Sequence, residues 1–266
     1  MISSKPLRSL GIFSVVLLAS AATPAAKRVP GYTFESVTTA NSANPMAPAP
    51  TGFSMTTRSI VTSTGASRMD VIAVEGATQV YAIGDYIITK DGKMTLVHPA
   101  TKTFVDLAEQ AAGAMANLPP QLMSQMTIGD ITGKSEKIGD ETIEGRPTEH
   151  RRVTVAYSMG IMGQSVPSTI VSDYWLAKLS VQILNPLAPP KTEVAAGPMA
   201  ELVKKQIEMA PKAADGVPMK MTIATTVSMM GQNIVTTIST EIKNMKESDV
   251  DASVIAVPAD YTKAAK

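Results

Sequence analysis

The sequence predicts a mainly β, α+β protein: one large antiparallel sheet of sequential hairpins, interrupted by two helical insertions. Three observations predict it. Apolar and polar residues alternate with period two along most of the chain, as in strands with one buried face. Glycine-centred turn sequences such as Asp91-Gly92 and Met230-Gly231-Gln232 separate these runs. Only two stretches carry helical spacing instead. No segment reads as a linker between separate cores. Residues 53–263 are therefore read as a single domain, preceded by an N-terminal strand and a Pro-rich mobile loop over 22–52.

The first residues are read as an export signal. Lys5 and Arg8 form a basic start, Leu10 to Leu18 an apolar stretch, and Ala19-Ser20-Ala21 a small-residue cleavage site, so residues 1–21 read as a secretory signal peptide. A second cleavage position follows Ala26. The apolar stretch is shorter than the ~20 residues that span a bilayer. No cysteine follows it, so the chain is not read as a lipoprotein. The expected product is periplasmic or secreted, monomeric, and without a transmembrane segment.

Phe53 to Ser63 and Ser67 to Val74 are joined at Thr64-Gly65, and Tyr86 to Thr89 and Lys93 to His98 flank Asp91-Gly92. Asp106 to Leu118 reads as a helix. Leu107, Ala111, Met115 and Leu118 share a face, Asp106 with Glu109 resembles a capping box, and Pro119-Pro120 stops the run. Val153 to Met159 and Ser168 to Trp175 form the next hairpin. A Pro-rich connection over 185–198 leads to a second helix, Met199 to Ala210, with Leu202, Val203 and Ile207 as its stripe. Met219 to Met229 and Ile234 to Lys243 close the pattern around Gly231. Met162-Gly163-Gln164 and Met230-Gly231-Gln232 mark two similar hairpins.

Composition excludes several function classes. Lys+Arg 24 against Asp+Glu 23 leaves no polyanion-binding footprint, and 4% aromatic residues leave few stacking platforms, so no nucleic-acid role is read. The absence of cysteine removes disulfides and thiolate chemistry. The two histidines, His98 and His150, lack zinc spacing and read as polar surface residues, His150 on a solvated strand edge or strand start. No Gly-x-Ser-x-Gly elbow or phosphate loop occurs. Asp140-Glu141 are adjacent, so on a strand they face opposite ways and make no acid/base pair. The chain is read as a non-enzyme with no cofactor and no metal.

Methionine is abundant, at 17 of 266 residues. Met219-x-Met221, Met159-x-x-Met162 and Met229-Met230 match the thioether preference of Cu(I), which makes copper binding a remote alternative. Methionine also fills irregular apolar space and adapts to varied ligands.

Lys137 to Gly145, with Thr148 and Val153-Thr-Val155, resembles the G-x-E-T-I-x-G hairpin of an exported bacterial family of unknown function. Val171 to Leu176 resembles its tryptophan strand, and Gly216 to Met221 its G-x-P-hydrophobic-K strand start. Val254 to Tyr261 resembles its closing P-x-x-Y segment, with Ile255 in place of the usual Phe. These motifs cover residues 130–263 in order. That family is similar to the lipoprotein-sorting carriers LolA and LolB. The resemblance implies a strongly curved antiparallel sheet, an open half-barrel closed on its concave side by helices, holding acyl chains between sheet and helices. It carries over no catalytic residue.

The function expected is a carrier or binding protein of the cell envelope for an apolar ligand, a lipid or lipoprotein acyl chain. The alternative is an envelope protein-interaction or sensor module on the same fold. Candidate lining residues are Met115, Met123, Met126, Leu202 and Ile207 on the helical side, and Trp175, Met221, Ile223 and Met229 on the sheet.

Overall fold

The computed structural model describes residues 28–43, 51–76, 81–116, 127–161, 163–183, 185, 199–229 and 231–264. The expected signal peptide, residues 45–50, Met123 and Met126 lie outside them, as does the side chain of Met115.

The chain order is β1 (Arg28–Ala43), β2 (Thr51–Thr62), β3 (Ser67–Gly76), β4 (Tyr86–Lys90), β5 (Lys93–His98), β6 (Thr103–Asp106) and α1 (Leu107–Ala116). Then follow β7 (Thr127–Ile143), β8 (Arg146–Ile161), β9 (Gln164–Ala177), α2 (Ala200–Met209), β10 (Val217–Met229), β11 (Gln232–Asp251) and β12 (Thr262–Lys263). All twelve strands join one mainly β, open, curved sheet in the order β12-β6-β5-β4-β3-β2-β1-β11-β10-β9-β8-β7. It is mixed rather than purely antiparallel, because β12 runs parallel to β6.

Local sequence explains most of these elements. Asp91-Gly92 and Glu144-Gly145 both hold positive φ at two successive residues, the conformation of a tight hairpin turn. α2 forms within one residue of both predicted ends and α1 within one residue of its predicted start; the predicted end of α1, Leu118, lies outside the described residues. The Asp106 carboxylate caps α1 by accepting from the Ala108 and Glu109 amides at 2.9 and 3.3 Å.

Long-range pairing sets the rest. β1, the segment predicted to precede the main domain, lies mid-sheet between β2 and β11. Contacts between strands that are not neighbours show that the sheet curls. Arg146 Nη2 donates to the Met245 carbonyl at 3.2 Å, and Glu144 accepts from the Asn244 amide at 3.4 Å, although β9 and β10 separate β8 from β11.

Three apolar clusters hold the sheet. The central one joins Tyr32, Phe34, Val61, Met219, Ile242 and Met245, with Ile183 from the segment after β9. Tyr32 fastens that segment, its hydroxyl bonded to Ser180 Oγ at 2.8 Å and accepting from the Val181 amide at 3.1 Å. The second cluster lies under α2 and the third under the chain after β11.

Candidate functional site

α2 packs on one face of β7–β9. Leu202, 1% exposed, is its anchor, set among Val153, Val155, Tyr157, Tyr174 and Leu176, with Met199, Met209 and Met221 around them. Gly133 on β7 permits the approach, since a Cβ there would meet Lys205 Cε at 3.0 Å and Met209 Cγ at 3.2 Å. Burial pushes the Tyr174 phenol above its ordinary pKa.

Strand alternation sorts the candidate residues. Tyr174 and Leu176 point to α2, so Trp175 points to the other face. There the Trp175 ring stacks on His150 with centroids 4.2 Å apart, and Lys220 Nζ lies 4.6 Å from its centroid. Trp175 is 9% exposed, and its Nε1 has no hydrogen-bond partner among the described residues. The structure therefore brings Leu202 and Met221 together and leaves Trp175 apart from them. Ile223 and Met229 follow Met221 on the α2 face of β10, half-buried. Ile207 is 53% exposed; the inward stripe of α2 is Met199, Leu202 and Met209 rather than Leu202, Val203 and Ile207.

On that α2 face the strands of the central hairpins continue past the helix. Ile223 pairs with Ile238, Val227 with Ile234 and Met229 with Gln232, and Ile238 pairs onward with Ala40 of β1. Ile238 is 38% exposed. Beside this apolar strip runs a hydroxyl row that the sequence pattern did not announce. Ser36 Oγ meets Thr57 Oγ1 at 2.7 Å, and Thr38 meets Thr240 at 3.0 Å. Threonine alternation reads as ordinary strand propensity, so only the cross-strand register assembles the row.

Every charge stops at one line across six adjacent strands, β2-β1-β11-β10-β9-β8. Residues 36–57, 153–172 and 221–240 contain no Asp, Glu, Lys or Arg. The cross-strand neighbours Glu35 and Arg58, Arg152 and Asp173, and Lys220 and Glu241 bound them. Arg152 grips Asp173 at 2.8 and 3.1 Å, and Glu35 meets Arg58 at 3.6 Å. Asp173 holds the Arg152 guanidinium above its ordinary pKa.

His150 differs from its sequence expectation. It is 7% exposed, because β7 pairs outside β8 and takes the edge. Its Nε2 lies 2.9 Å from Asp173 Oδ1 and its Nδ1 3.2 Å from Glu141 Oε1. Both ring nitrogens face carboxylates, so neither is free to serve a substrate as base. Asp140 and Glu141 do point opposite ways: Asp140 binds Lys137 at 2.7 Å, while Glu141 meets His150. His98 Nδ1 lies 3.0 Å from the buried Asp85. Among the described residues no hydroxyl bonds either imidazole ring. Nor does any group of three His, Asp or Glu residues there form a metal-holding cluster. Met219 and Met221 lie in different clusters, the central one and that under α2.

A depression of about 390 Å³ is lined by Asp140, Glu149, Arg151, Leu176, Lys178 and Asp215. Its charged walls do not suit an acyl chain, and none of the nine candidate residues lines it. Among the described residues no helix is long and apolar enough to cross a membrane.

No family model matches the chain, and no curated protein matches it. Among solved structures it is similar to an uncharacterized conserved protein from Thermus thermophilus, at 8% identity over 86% of this chain and 89% of that one, with a TM-score of 0.37. It is also similar to the lipoprotein LppX of Mycobacterium tuberculosis, at 10% identity over 83% and 88% of the two chains, TM-score 0.34. A LolA superfamily protein from Nitrosomonas europaea aligns at 10% identity over 84% and 90%, TM-score 0.31.

Proposed function

We propose that this protein is an exported, non-enzymatic carrier of the cell envelope that binds the acyl chain of a lipid or lipoprotein on the α2 face of its sheet. The observation that carries this reading is the charge-free strip of β10 and β11 that starts at Met221 under α2 and continues past it, with Ile223, Val227 and Met229 beside Ile234 and Ile238 and the Thr225–Thr236 pair between them. An acyl chain gains from burying apolar surface and offers nothing to a charge, so a strip without charged residues suits it. The hydroxyl row beside it gives a polar margin.

Native mass spectrometry of purified protein, with extraction of bound lipid, tests the reading. Copurifying lipid and saturable binding of a fluorescent fatty acid are expected. Ile238→Glu places a carboxylate on a part-exposed position of the strip. It should leave the melt nearly unchanged and abolish probe binding. A protein without lipid that ignores the probe overturns the proposal.

A further inference from the structure

The charge-free region has a second property, its position at one end of the strands. The β8–β9 and β10–β11 turns stand side by side, because Val227 pairs with Ser168. Ala43, at the end of β1, pairs with Val235 and brings the β1–β2 join to the same end. From the line of Glu35–Arg58, Arg152–Asp173 and Lys220–Glu241 outward, each hairpin runs about ten residues, roughly 30 Å, without a charge on either face. Glu75 and Asp130 sit on the flanking strands β3 and β7, outside the six. In sequence, residues 44–50, between β1 and β2, and 117–126, before β7, are uncharged too. A water-facing surface ordinarily carries charge at roughly a quarter of its positions or more.

What stands at the outer ends is neutral and small. Gly163, Gln164, Ser165, Gly231, Gln232 and Asn233 are exposed, with half-buried Met159 and Met229 just behind them. Gly163 and Gly231 take positive φ, which makes the turns tight. Neutral amides and thioethers enter the headgroup layer of a bilayer far more readily than carboxylates or ammonium groups do. The sheet is open, so it cannot span hydrocarbon, where its edges would stay unpaired. Its tips can enter the interfacial layer without that difficulty.

We infer that the protein docks on a lipid bilayer through the adjacent tips of β8–β9 and β10–β11, by entry of uncharged residues into the interfacial layer rather than by charge attraction. This goes beyond the carrier reading and does not depend on it, since docking requires no bound acyl chain.

Flotation on phosphatidylcholine vesicles tests it, at about 0.15 M and about 1 M salt. The protein should float equally at both. Gln164→Glu with Gln232→Glu places two carboxylates on exposed turn residues by near-isosteric change. This double variant should float at least about tenfold less while its melt stays that of the parent. Lys93→Glu, on the β4–β5 turn at the opposite strand ends, should float as the parent does. Failure of the parent to float overturns the proposal and leaves the uncharged end as a protein-docking face. So does equal flotation of the double variant. Flotation that needs anionic lipid and disappears at high salt also overturns it. Fatty-acid binding, measured separately on the same proteins, reports on the carrier reading alone.

Discussion

The two covers of the sheet lie on opposite faces and are attached by different chemistry. α2 covers β7–β9 through one apolar stripe centred on Leu202. Its ion pairs, Glu201–Lys204 and Lys205–Glu208, each 3.9 Å long and largely exposed, add little. The chain after β11 covers β3–β6 on the face opposite α2. There Ile255 is buried with Tyr86, Ile88, Val97 and Val250. That segment is also stitched down by polar ties. Arg68 donates to the Val254 carbonyl at 3.1 Å, and Lys102 binds Asp260 at 2.8 Å. The Thr262 and Ala264 amides donate to the Lys102 and Phe104 carbonyls at 3.0 and 2.9 Å. A segment that joins the hydrogen-bond ladder belongs to the sheet's cooperative unit. A helix held by side-chain packing alone can part from it at lower cost.

The comparison breaks if the wrong cover proves separable. Ile255→Asp buries an unpaired charge under the C-terminal cover and should lower global stability by about 4 kcal/mol, read as a shifted denaturant midpoint of the whole molecule. Leu202→Ala should cost about 3 kcal/mol, felt locally. Hydrogen exchange should quicken in α2 and its flanking strands while β3–β6 keep their protection. Equal loss across both regions would show that α2 belongs to the same unit as the rest.

Smaller perturbations sharpen the contrast. Tyr32→Phe removes the hydroxyl that holds the 180–181 backbone and should cost about 1 kcal/mol in a denaturant titration. The mildest effect is that of pH. The hydrogen bond from Lys102 holds the Asp260 carboxyl below its ordinary pKa, and that from Ser253 does the same for Asp251. A depressed carboxyl stabilises the fold above its unfolded pKa, and that contribution is lost as pH falls through the folded value. Asp260 in turn raises the Lys102 ammonium, whose contribution is lost only as pH rises through its raised folded value. NMR intensities of the Thr262 and Ala264 amides should therefore weaken in acid, below the carboxylate range, before that of Val203 in α2. Simultaneous weakening would remove the distinction between the covers.

Much of the fold was legible in the sequence because strands and turns are local. Period-two runs located β2 to β5 and β8 to β11 but not the long β7, and glycine turns located the hairpins between them. α2 fell within one residue of both predicted ends, and α1 within one of its predicted start. Ile255, which replaces the expected Phe, is buried under the C-terminal cover. The candidate site was legible only in part. Leu202 and Met221 meet as a pair, while Trp175, from the same reading, stacks on His150 across the sheet. Ile207 sits one helical step off the packing stripe. His150 was taken for a solvated residue because nothing in its neighbours announces that β7 will pair outside β8.

By itself the sequence determined which residues alternate, where the chain turns, and that three hairpins carry no charge for twenty residues or more each. The tertiary structure decided which face each alternating set presents and to what. It also gathered the three uncharged hairpins at one end. Alternation is a local steric property of the extended backbone, fixed residue by residue. Adjacency of β1 to β11 joins residues about two hundred positions apart, and only the folded register specifies it.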